Sequence, residues 1–283
     1  MTSGIRARHH ALASVAALAI VMMSPAAAQP DAARFELRLG GQKFTSFTTA
    51  VRLDSVTRGI GTQIRLETDV NLEQRVSAAR IEGIYNFGRR HHIGFATYDI
   101  DRTGTRRVER SIRFRDETFT LGTTVSAALD QDVAKIAYRY DALSRRRATL
   151  GPSFGLHVMR FEVGLSAAAF STEYDAKVTA PLPVVGVRGG WRFAERWRLL
   201  GSFEWFDIEV SDIDGRFTDA TITVEHDTFE RFGFGLGFNG SDLDVESGDE
   251  DFLGIIDLSF SSAIVYFRGT FGRKRSERQG GER

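Results

Sequence analysis

Strict alternation of apolar and polar residues recurs along most of the chain, and this period of two limits the fold more than any other feature. Such alternation is typical of β-strands whose two faces meet different surroundings. It is clearest at residues 232–238, where four large apolar residues alternate with three glycines. The comparable segments are 35–53, 79–87, 118–129, 134–140, 185–193 and 197–205. The pattern predicts an all-β antiparallel fold.

The spacing of the turns separates two all-β architectures. A soluble sandwich buries its apolar faces against each other, whereas a membrane barrel turns them towards lipid around a polar interior. Tight connections such as 88–90 and 194–196 alternate with longer ones at 55–75, 103–116 and 242–251. Aromatic residues gather beside the tight turns, where the interfacial girdle of a barrel lies. These features favour a transmembrane β-barrel.

Dividing the alternating segments at the tight turns predicts about twelve strands. Asp130-Gln131 and Met159-Arg160 are two of the turns that this count requires. An added or missed hairpin would give ten or fourteen strands instead. The predicted strands are 34–54, 76–87, 90–102, 117–129, 131–141, 147–158, 160–170, 181–193, 196–210, 216–226, 229–241 and 251–271.

Two predicted strands have an irregular phase. In 90–102, either Ile93 and Phe95 or Tyr98 and Ile100 would face lipid. In the last strand the apolar positions change from even to odd numbers, which predicts a β-bulge near Ser261-Ser262.

The two ends of the chain are predicted to lie outside the barrel. Residues 1–28 have two arginines, an apolar stretch and then small residues before Gln29, which predicts a cleaved secretory signal. We assign the barrel to 29–271 and a basic periplasmic tail to 272–283.

The formal charge is zero, from 37 Lys plus Arg and 37 Asp plus Glu, which argues against a nucleic-acid partner. The chain has no Cys, which excludes disulfides, thiolate zinc sites and a Cys nucleophile.

Together these features resemble Gram-negative outer-membrane β-barrel proteins. The stretches GTQIRLETDV (61–70) and GIYNFGRRHHIGFATYDIDR (83–102) are similar to porin-like proteobacterial barrels of largely unassigned function. An alternating last strand that ends in Phe resembles the family's assembly signal, and it is formed here by Val265, Phe267, Gly269 and Phe271. The resemblance implies outer-membrane lipid, lipopolysaccharide and the barrel-assembly machinery as partners. The twelve residues after Phe271 depart from the pattern.

The polar faces of the predicted strands carry many charges, which would line the lumen. The predicted lining residues are Arg38, Arg52, Arg80, Glu82, Lys135, Arg139, Arg188, Arg192, Arg198, Glu204 and Arg231. In a twelve-stranded barrel about 25 Å across, these side chains either surround a narrow channel with an anion preference or fill the interior as a salt-bridged plug.

Reactive groups are sparse. Beyond residue 28 there are four histidines, at 91, 92, 157 and 226, and none precedes Ser by two positions as in outer-membrane lipid hydrolases. His226-Asp227 is predicted at the periplasmic end, away from the outer rim that an omptin-like protease uses. We therefore expect no enzyme and no cofactor.

Two predicted outer loops carry clustered charge. The loop 242–251 is rich in carboxylates, and Asp242, Asp244, Glu246 and Asp249 form a weak candidate Ca²⁺ site. Five arginines between 106 and 115 are candidates for pairing with lipopolysaccharide phosphates.

The sequence thus predicts a porin-like passive channel for small solutes or a barrel of unassigned function. The alternative is a closed structural or surface-interaction barrel that contacts lipopolysaccharide, and an outer-membrane enzyme is the weakest reading. No residue pattern indicates an oligomeric state.

Overall fold

A computed structural model describes residues 33–55, 59–87, 89–114, 117–167, 173–210, 213–248 and 253–273. The predicted signal segment and all but the first two residues of the predicted tail lie outside these residues. No helix in the described ranges is long and apolar enough to cross a membrane.

Ten long strands close into one antiparallel barrel. They are β1 (Ala33–Leu53), β3 (Ser77–Asn86), β4 (His91–Arg107), β7 (Thr124–Tyr140), β9 (Ala148–Ala167), β10 (Glu173–Trp191), β11 (Trp197–Val210), β12 (Ile213–His226), β13 (Phe232–Gly248) and β14 (Leu253–Arg273). Each strand pairs with its neighbours in this order, and β1 pairs with β14 from Ala33↔Arg273 to Leu53↔Gly254. Ten strands give a backbone diameter of about 20 Å.

Four short strands and one helical turn complete the described structure. β2 (Ile64–Arg65) pairs with β1, and β8 (Leu143–Ser144) pairs with β9. β5 (Ile112–Phe114) and β6 (Glu117–Phe119) form a separate hairpin. The turn α1 (Leu66–Asp69) follows β2. Four tight connections, 87–90, 141–147, 192–196 and 227–231, lie at the same end of the barrel as both described termini. We call this end the short-turn end and the opposite end the long-loop end.

The predicted count of twelve strands is wrong because two predicted turns do not exist. Asp130-Gln131 lies within β7 and Met159-Arg160 lies within β9. In both strands the alternation of faces runs without a break. Along β7 the odd-numbered side chains point inward from Val125 to Arg139, yet they are apolar near the long-loop end and charged near the short-turn end.

In other strands too, the apolar side chains change from the outer face to the inner face part-way along the strand. This change divides the barrel into two regions. In the belt, the half at the short-turn end, apolar side chains point outward and polar ones inward. In the crown, the half at the long-loop end, apolar side chains point inward. The division lies near Thr97 in β4, Ala134 in β7, Val158 in β9, Val184 in β10 and Trp205 in β11.

This division also accounts for the two irregular strands. In β4, Ile93 and Phe95 face outward in the belt, while Tyr98 and Ile100 are buried inside the crown. The predicted bulge in the last strand is not found, because the even-numbered side chains of β14 point inward along its length. The register shift instead lies on the neighbouring strand, between Phe44 and Ser46.

The crown has an apolar core where the belt has a lumen. Inward side chains from the barrel strands meet in one cluster that includes Phe44, Phe161, Phe217 and Phe260. The two longest connections fold over its open end and add apolar side chains to the same cluster. Leu66 and Val70 come from the first connection, and Ile112, Phe114 and Phe119 come from the second.

One buried ion pair fastens the first connection to the barrel wall. Arg102, only 1% exposed, contacts Glu67 of α1 at 2.8 Å and donates a hydrogen bond to Thr49 Oγ1 at 2.7 Å. Glu67 accepts a second hydrogen bond from the Thr49 backbone N–H. The Arg102 guanidinium also lies 4.0 Å from the centre of the Phe47 ring. A charge pair removed from water needs this full set of partners to be tolerated.

Candidate functional site: the lumen of the belt

The lumen of the belt is a cavity of about 830 Å³. It is lined by inward side chains of the belt and by residues of three tight connections, 141–147, 192–196 and 227–231. None of the apolar core residues of the crown lines it. Within the described residues, the lumen is therefore open at the short-turn end and filled at the crown.

The floor of the cavity consists of ion pairs against the crown. Lys135 contacts Asp219 at 3.0 Å, and Arg188 contacts Glu204 at 2.6 Å. Fully buried His157 approaches Glu204 at 3.1 Å, and its ring meets the Phe217 ring edge-to-face with centroids 5.3 Å apart. These contacts mark the level at which the polar interior gives way to the apolar core.

A second cluster of charges surrounds Glu225, which has no solvent exposure. Its carboxylate is approached by Arg198 at 2.6 Å, Arg38 at 3.0 Å and Arg268 at 3.8 Å. The Tyr266 hydroxyl donates a hydrogen bond to the same group at 2.7 Å. Glu36 and Asp227 contribute the other two negative charges around these three arginines. The cluster is balanced, so its charges cancel locally.

Tyr266 also accounts for one of the glycines on the inner face of β13, Gly235. A Cβ atom on Gly235 would lie 2.3 Å from the Tyr266 ring, which is closer than any real contact. The alternation of Phe and Gly at 232–238 thus places aromatic rings outward and leaves room for this ring inside.

Two further groups of charges are also paired, the first at the level of the floor and the second nearer the open end. Arg80 contacts Glu82 at 2.9 Å and donates a hydrogen bond to Gln42. Asp141 accepts from Arg139 at 2.5 Å and lies 3.2 Å from His92. Unpaired charges are costly in a narrow interior, and these contacts remove that cost.

Most of the predicted lumen residues line this cavity. They are Arg38, Arg80, Glu82, Lys135, Arg139, Arg188, Arg192, Arg198, Glu204 and Arg231. Arg52 does not line it. The bulge between Phe44 and Ser46 shifts the parity of β1, so that Phe47, Val51 and Leu53 point inward in the crown and Arg52 points outward, 3.1 Å from Asp54.

Several lining residues were missed because they lie at a strand end or in connections. His92 is the second residue of β4, the strand whose phase was ambiguous in the sequence. Asp141, Arg146, Arg147 and Asp227 lie in connections, where alternation assigns no face. A signal in the sequence was the density of arginine at 145–147.

The predicted acidic loop is mostly strand. Asp242, Asp244 and Glu246 lie on the outward face of β13, which runs to Gly248, and Asp249 lies outside the described residues. No group of three or more potential metal-ligating residues occurs in the part of the chain that the structure describes.

The other predicted motifs occupy definite places. Val265, Phe267, Gly269 and Phe271 lie on the outward face of β14 in the belt, and their role in assembly stays a prediction. The described arginines between 106 and 113, at the end of β4 and in the connection after it, contact the protein itself. Arg106 contacts Glu109, Arg107 donates to the carbonyl of Gly122, Arg110 contacts Asp69, and Arg113 donates to the carbonyl of Ile60. Arg115 lies outside the described residues.

The histidines lie away from the long-loop end. His91, His92 and His226 are at the short-turn end of their strands, and His157 is buried in the middle of β9. The described residues thus bring no histidine to the rim where the omptin-like arrangement requires one.

Aromatic side chains form a girdle around the short-turn end. Trp191, Phe193 and Trp197 follow one another with centroids 5.8 and 6.5 Å apart. Tyr85 stacks on Phe87 on the other side of the barrel. Such rings are typical of a membrane–water interface.

One solved structure supports the same architecture, and two others superpose more weakly. The outer membrane protease OmpT from Escherichia coli superposes with a TM-score of 0.55 over 83% of this chain and 97% of that chain, at 12% identity. OprG from Pseudomonas aeruginosa covers 86% and 98% with a TM-score of 0.39 at 10% identity. The transport unit of the E. coli autotransporter AIDA-I covers 91% and 95% with a TM-score of 0.41 at 8% identity. No protein-family profile and no curated protein matches the chain.

The fold is therefore that of Gram-negative outer-membrane β-barrel proteins. The particular architecture is a ten-stranded closed antiparallel barrel.

Proposed function

We propose that the protein is a closed outer-membrane barrel that presents its crown at the cell surface as a structural or interaction platform. The observation that carries the proposal is the apolar core of the crown, in which buried side chains such as Phe44 and Phe217 fill the interior of the barrel. A passive channel needs a continuous polar path, and the polar lumen of the belt ends at His157 and Phe217. The closed barrel therefore has more support than the porin-like channel.

A conductance measurement separates these two functions. The refolded chain in a planar bilayer should show no stable conductance steps, because the crown blocks ion flow. Folding and insertion are verified separately by heat-modifiable migration on a gel. Long-lived steps with a reproducible ion preference would overturn the closed-barrel proposal and restore the channel.

Surface display has its own test, because the chain contains no cysteine. Leu121, 66% exposed, lies at the long-loop end, and Phe229, 70% exposed, lies at the short-turn end. On intact cells, a membrane-impermeant maleimide should label Leu121→Cys but leave Phe229→Cys unlabelled until the outer membrane is permeabilised. The reverse pattern would contradict the proposed orientation and its periplasmic short-turn end.

The proposed location implies processing and lipid partners. The mature protein would begin at Gln29, which mass spectrometry of the N-terminal peptide checks. The barrel-assembly machinery would recognise and bind β14. In this orientation lipopolysaccharide would surround the upper edge of the belt. Enzymatic activity receives no support from the described histidines.

A further inference from the structure

We propose that the open end of the belt cavity is a binding site for a phosphate-bearing anion, held by arginines that no carboxylate of the described residues contacts. The site lies at the opposite end of the barrel from the crown, and it does not depend on what the crown does.

Four arginines at the mouth of the cavity carry the proposal. Arg146, Arg147, Arg196 and Arg231 line the cavity with exposed side chains and come from three separate connections. Within the described residues, none of them has an ion pair or a side-chain hydrogen bond. They differ in this from the arginines deeper in the lumen, each of which contacts a carboxylate.

Counting the charges places the positive excess at the mouth. Among the described residues, twelve basic and eight acidic side chains line the cavity, and buried Glu225 adds a ninth acid behind the wall, which leaves an excess of three positive charges. The four groups of interior charges described above together hold seven basic and seven acidic side chains, so they are balanced. The excess therefore belongs to the rim, where Glu195 and Glu230 are the acidic neighbours of Arg196 and Arg231.

The arginines continue inward from the mouth along one strand. Arg192, just beyond β10, and Arg188, on the same inward face, both line the cavity with side chains 41% and 31% exposed. The Nε atom of Arg188 is buried and donates no hydrogen bond to any described group. An anion that enters past the rim would meet the exposed parts of the Arg192 and Arg188 side chains.

The arrangement fits phosphate better than carboxylate. A guanidinium donates in a planar fork to either group. A carboxylate presents two oxygens in one plane, whereas a terminal phosphate presents three oxygens around a tetrahedral centre and carries more charge. It can therefore accept from arginines that approach from three connections. The volume of about 830 Å³ lies within the usual range for small-molecule sites.

Such a phosphate could come from a soluble compound or from a lipid headgroup. Trp191, Phe193 and Trp197 of the aromatic girdle flank Arg192 and Arg196, so the rim lies at the level of lipid headgroups. The shared chemistry is the same in both cases, and the experiment distinguishes the two sources.

The test is calorimetric titration of inorganic tripolyphosphate into the folded barrel in phosphatidylcholine nanodiscs at low salt. Wild type should show saturable binding of one tripolyphosphate per chain, which weakens as salt increases. Arg147→Gln combined with Arg231→Gln should lower the affinity at least tenfold. The matched control is Arg89→Gln with Arg90→Gln, which removes the same charge from the same end but from residues that do not line the cavity. We expect this control to change the affinity less than twofold.

Two results would overturn the proposal. One is the absence of saturable binding to wild type. The other is an equal loss of affinity in both double variants, which would mean diffuse attraction to a basic rim. Each variant must first show the heat-modifiable migration of wild type, so that misfolding is not mistaken for lost binding.

The source of the phosphate is settled by replacing part of the lipid with phosphatidylglycerol. If headgroups occupy the site, tripolyphosphate affinity should fall at least tenfold in wild type and in the Arg89/Arg90 control, but little further in the Arg147/Arg231 variant. An unchanged wild-type affinity would assign the site to a soluble phosphate compound.

Discussion

The belt and the crown are built from the same strands with opposite chemistry. On β9, Phe154 and Leu156 point outward in the belt while Ser153 and His157 point inward; in the crown, Phe161 and its odd-numbered neighbours point inward. The backbone alternation is identical in both regions. The difference shows that one continuous strand can serve a barrel with an apolar outer face over half its length and a barrel with an apolar core over the rest.

The two regions also depend on different interactions. The crown buries apolar area, which stabilises in proportion to the surface removed from water. The belt gains little from that effect inside, so its interior depends on balanced ion pairs such as those around Glu225. Substitutions that are harmless in one region should therefore damage the other.

The largest effect is expected from a charge placed inside the crown. Val133 is 1% exposed, whereas the adjacent Asp132 is exposed on the outer face. Val133→Asp should lower the free energy of unfolding by more than about 4 kcal/mol, because an unpaired carboxylate would be buried among apolar groups. Asp132→Val, the control, should change it by less than about 0.5 kcal/mol. Denaturant titration of the refolded barrel measures both, and equal effects would contradict an apolar interior in the crown.

A somewhat smaller effect is expected at the buried pair in the crown. Arg102→Leu should cost about 3–5 kcal/mol, because it leaves the Glu67 carboxylate buried without its partner. The double variant Arg102→Leu, Glu67→Leu should recover most of that loss. A double variant as unstable as the single one would show that the pair is not the source of the effect.

On the outer faces, an added charge should destabilise the belt more than the crown, whereas on the inner faces it should destabilise the crown more. Leu156→Arg in the belt should cost about 2–4 kcal/mol, since it places a charge against lipid. Ser126→Arg on the outer face of the crown should stay within about 0.5 kcal/mol, since that surface meets water. Unfolding in lipid vesicles tests the pair. Equal costs would mean that the crown is also embedded in lipid.

The smallest effect concerns pH and is confined to the crown. The pKa of Asp130, on the outer face, is raised first by partial desolvation and then by the negative charges of three carboxylates around it, those of Asp101, Glu162 and Asp132. A raised carboxyl pKa means that the folded state binds the proton more readily, so stability should increase as pH falls from neutral through that pKa. Asp130→Asn should add a few tenths of a kcal/mol at pH 7 and reduce this pH dependence. Asp207→Asn, which removes a carboxylate paired with Arg216, should not stabilise.

Alternation predicted the barrel and most of the lumen, because the inward parity of each belt strand can be determined from a few residues. Arg38 and Lys135 were assigned to the lumen on that basis, and both line the cavity. The number of strands was not predictable in the same way. An apolar set that moves from one face to the other looks like a turn in the sequence, and only strand pairing shows that β7 and β9 continue through it.

The errors at Arg52 and at the acidic segment have local causes. One extra residue in β1 reverses the faces of everything after it, and no residue type near Thr45 marks the bulge. The acidic residues at 242–246 suggested a loop because carboxylates are rare in lipid-facing strands, but β13 has already left the belt there. The rim arginines lie in turns, where geometry depends on neighbouring connections that are distant in sequence.

The closure of the barrel has a consequence for its biogenesis. The first strand, β1, pairs with the last strand, β14, along its whole length. The free edge of β1 therefore stays open until all 21 residues of β14 are in place. Open edges are templates for aggregation, and contacts between such distant segments form slowly. A ribosome delivers the first strand long before its partner exists. The unfinished chain must therefore be kept apart from its copies for the whole of that interval.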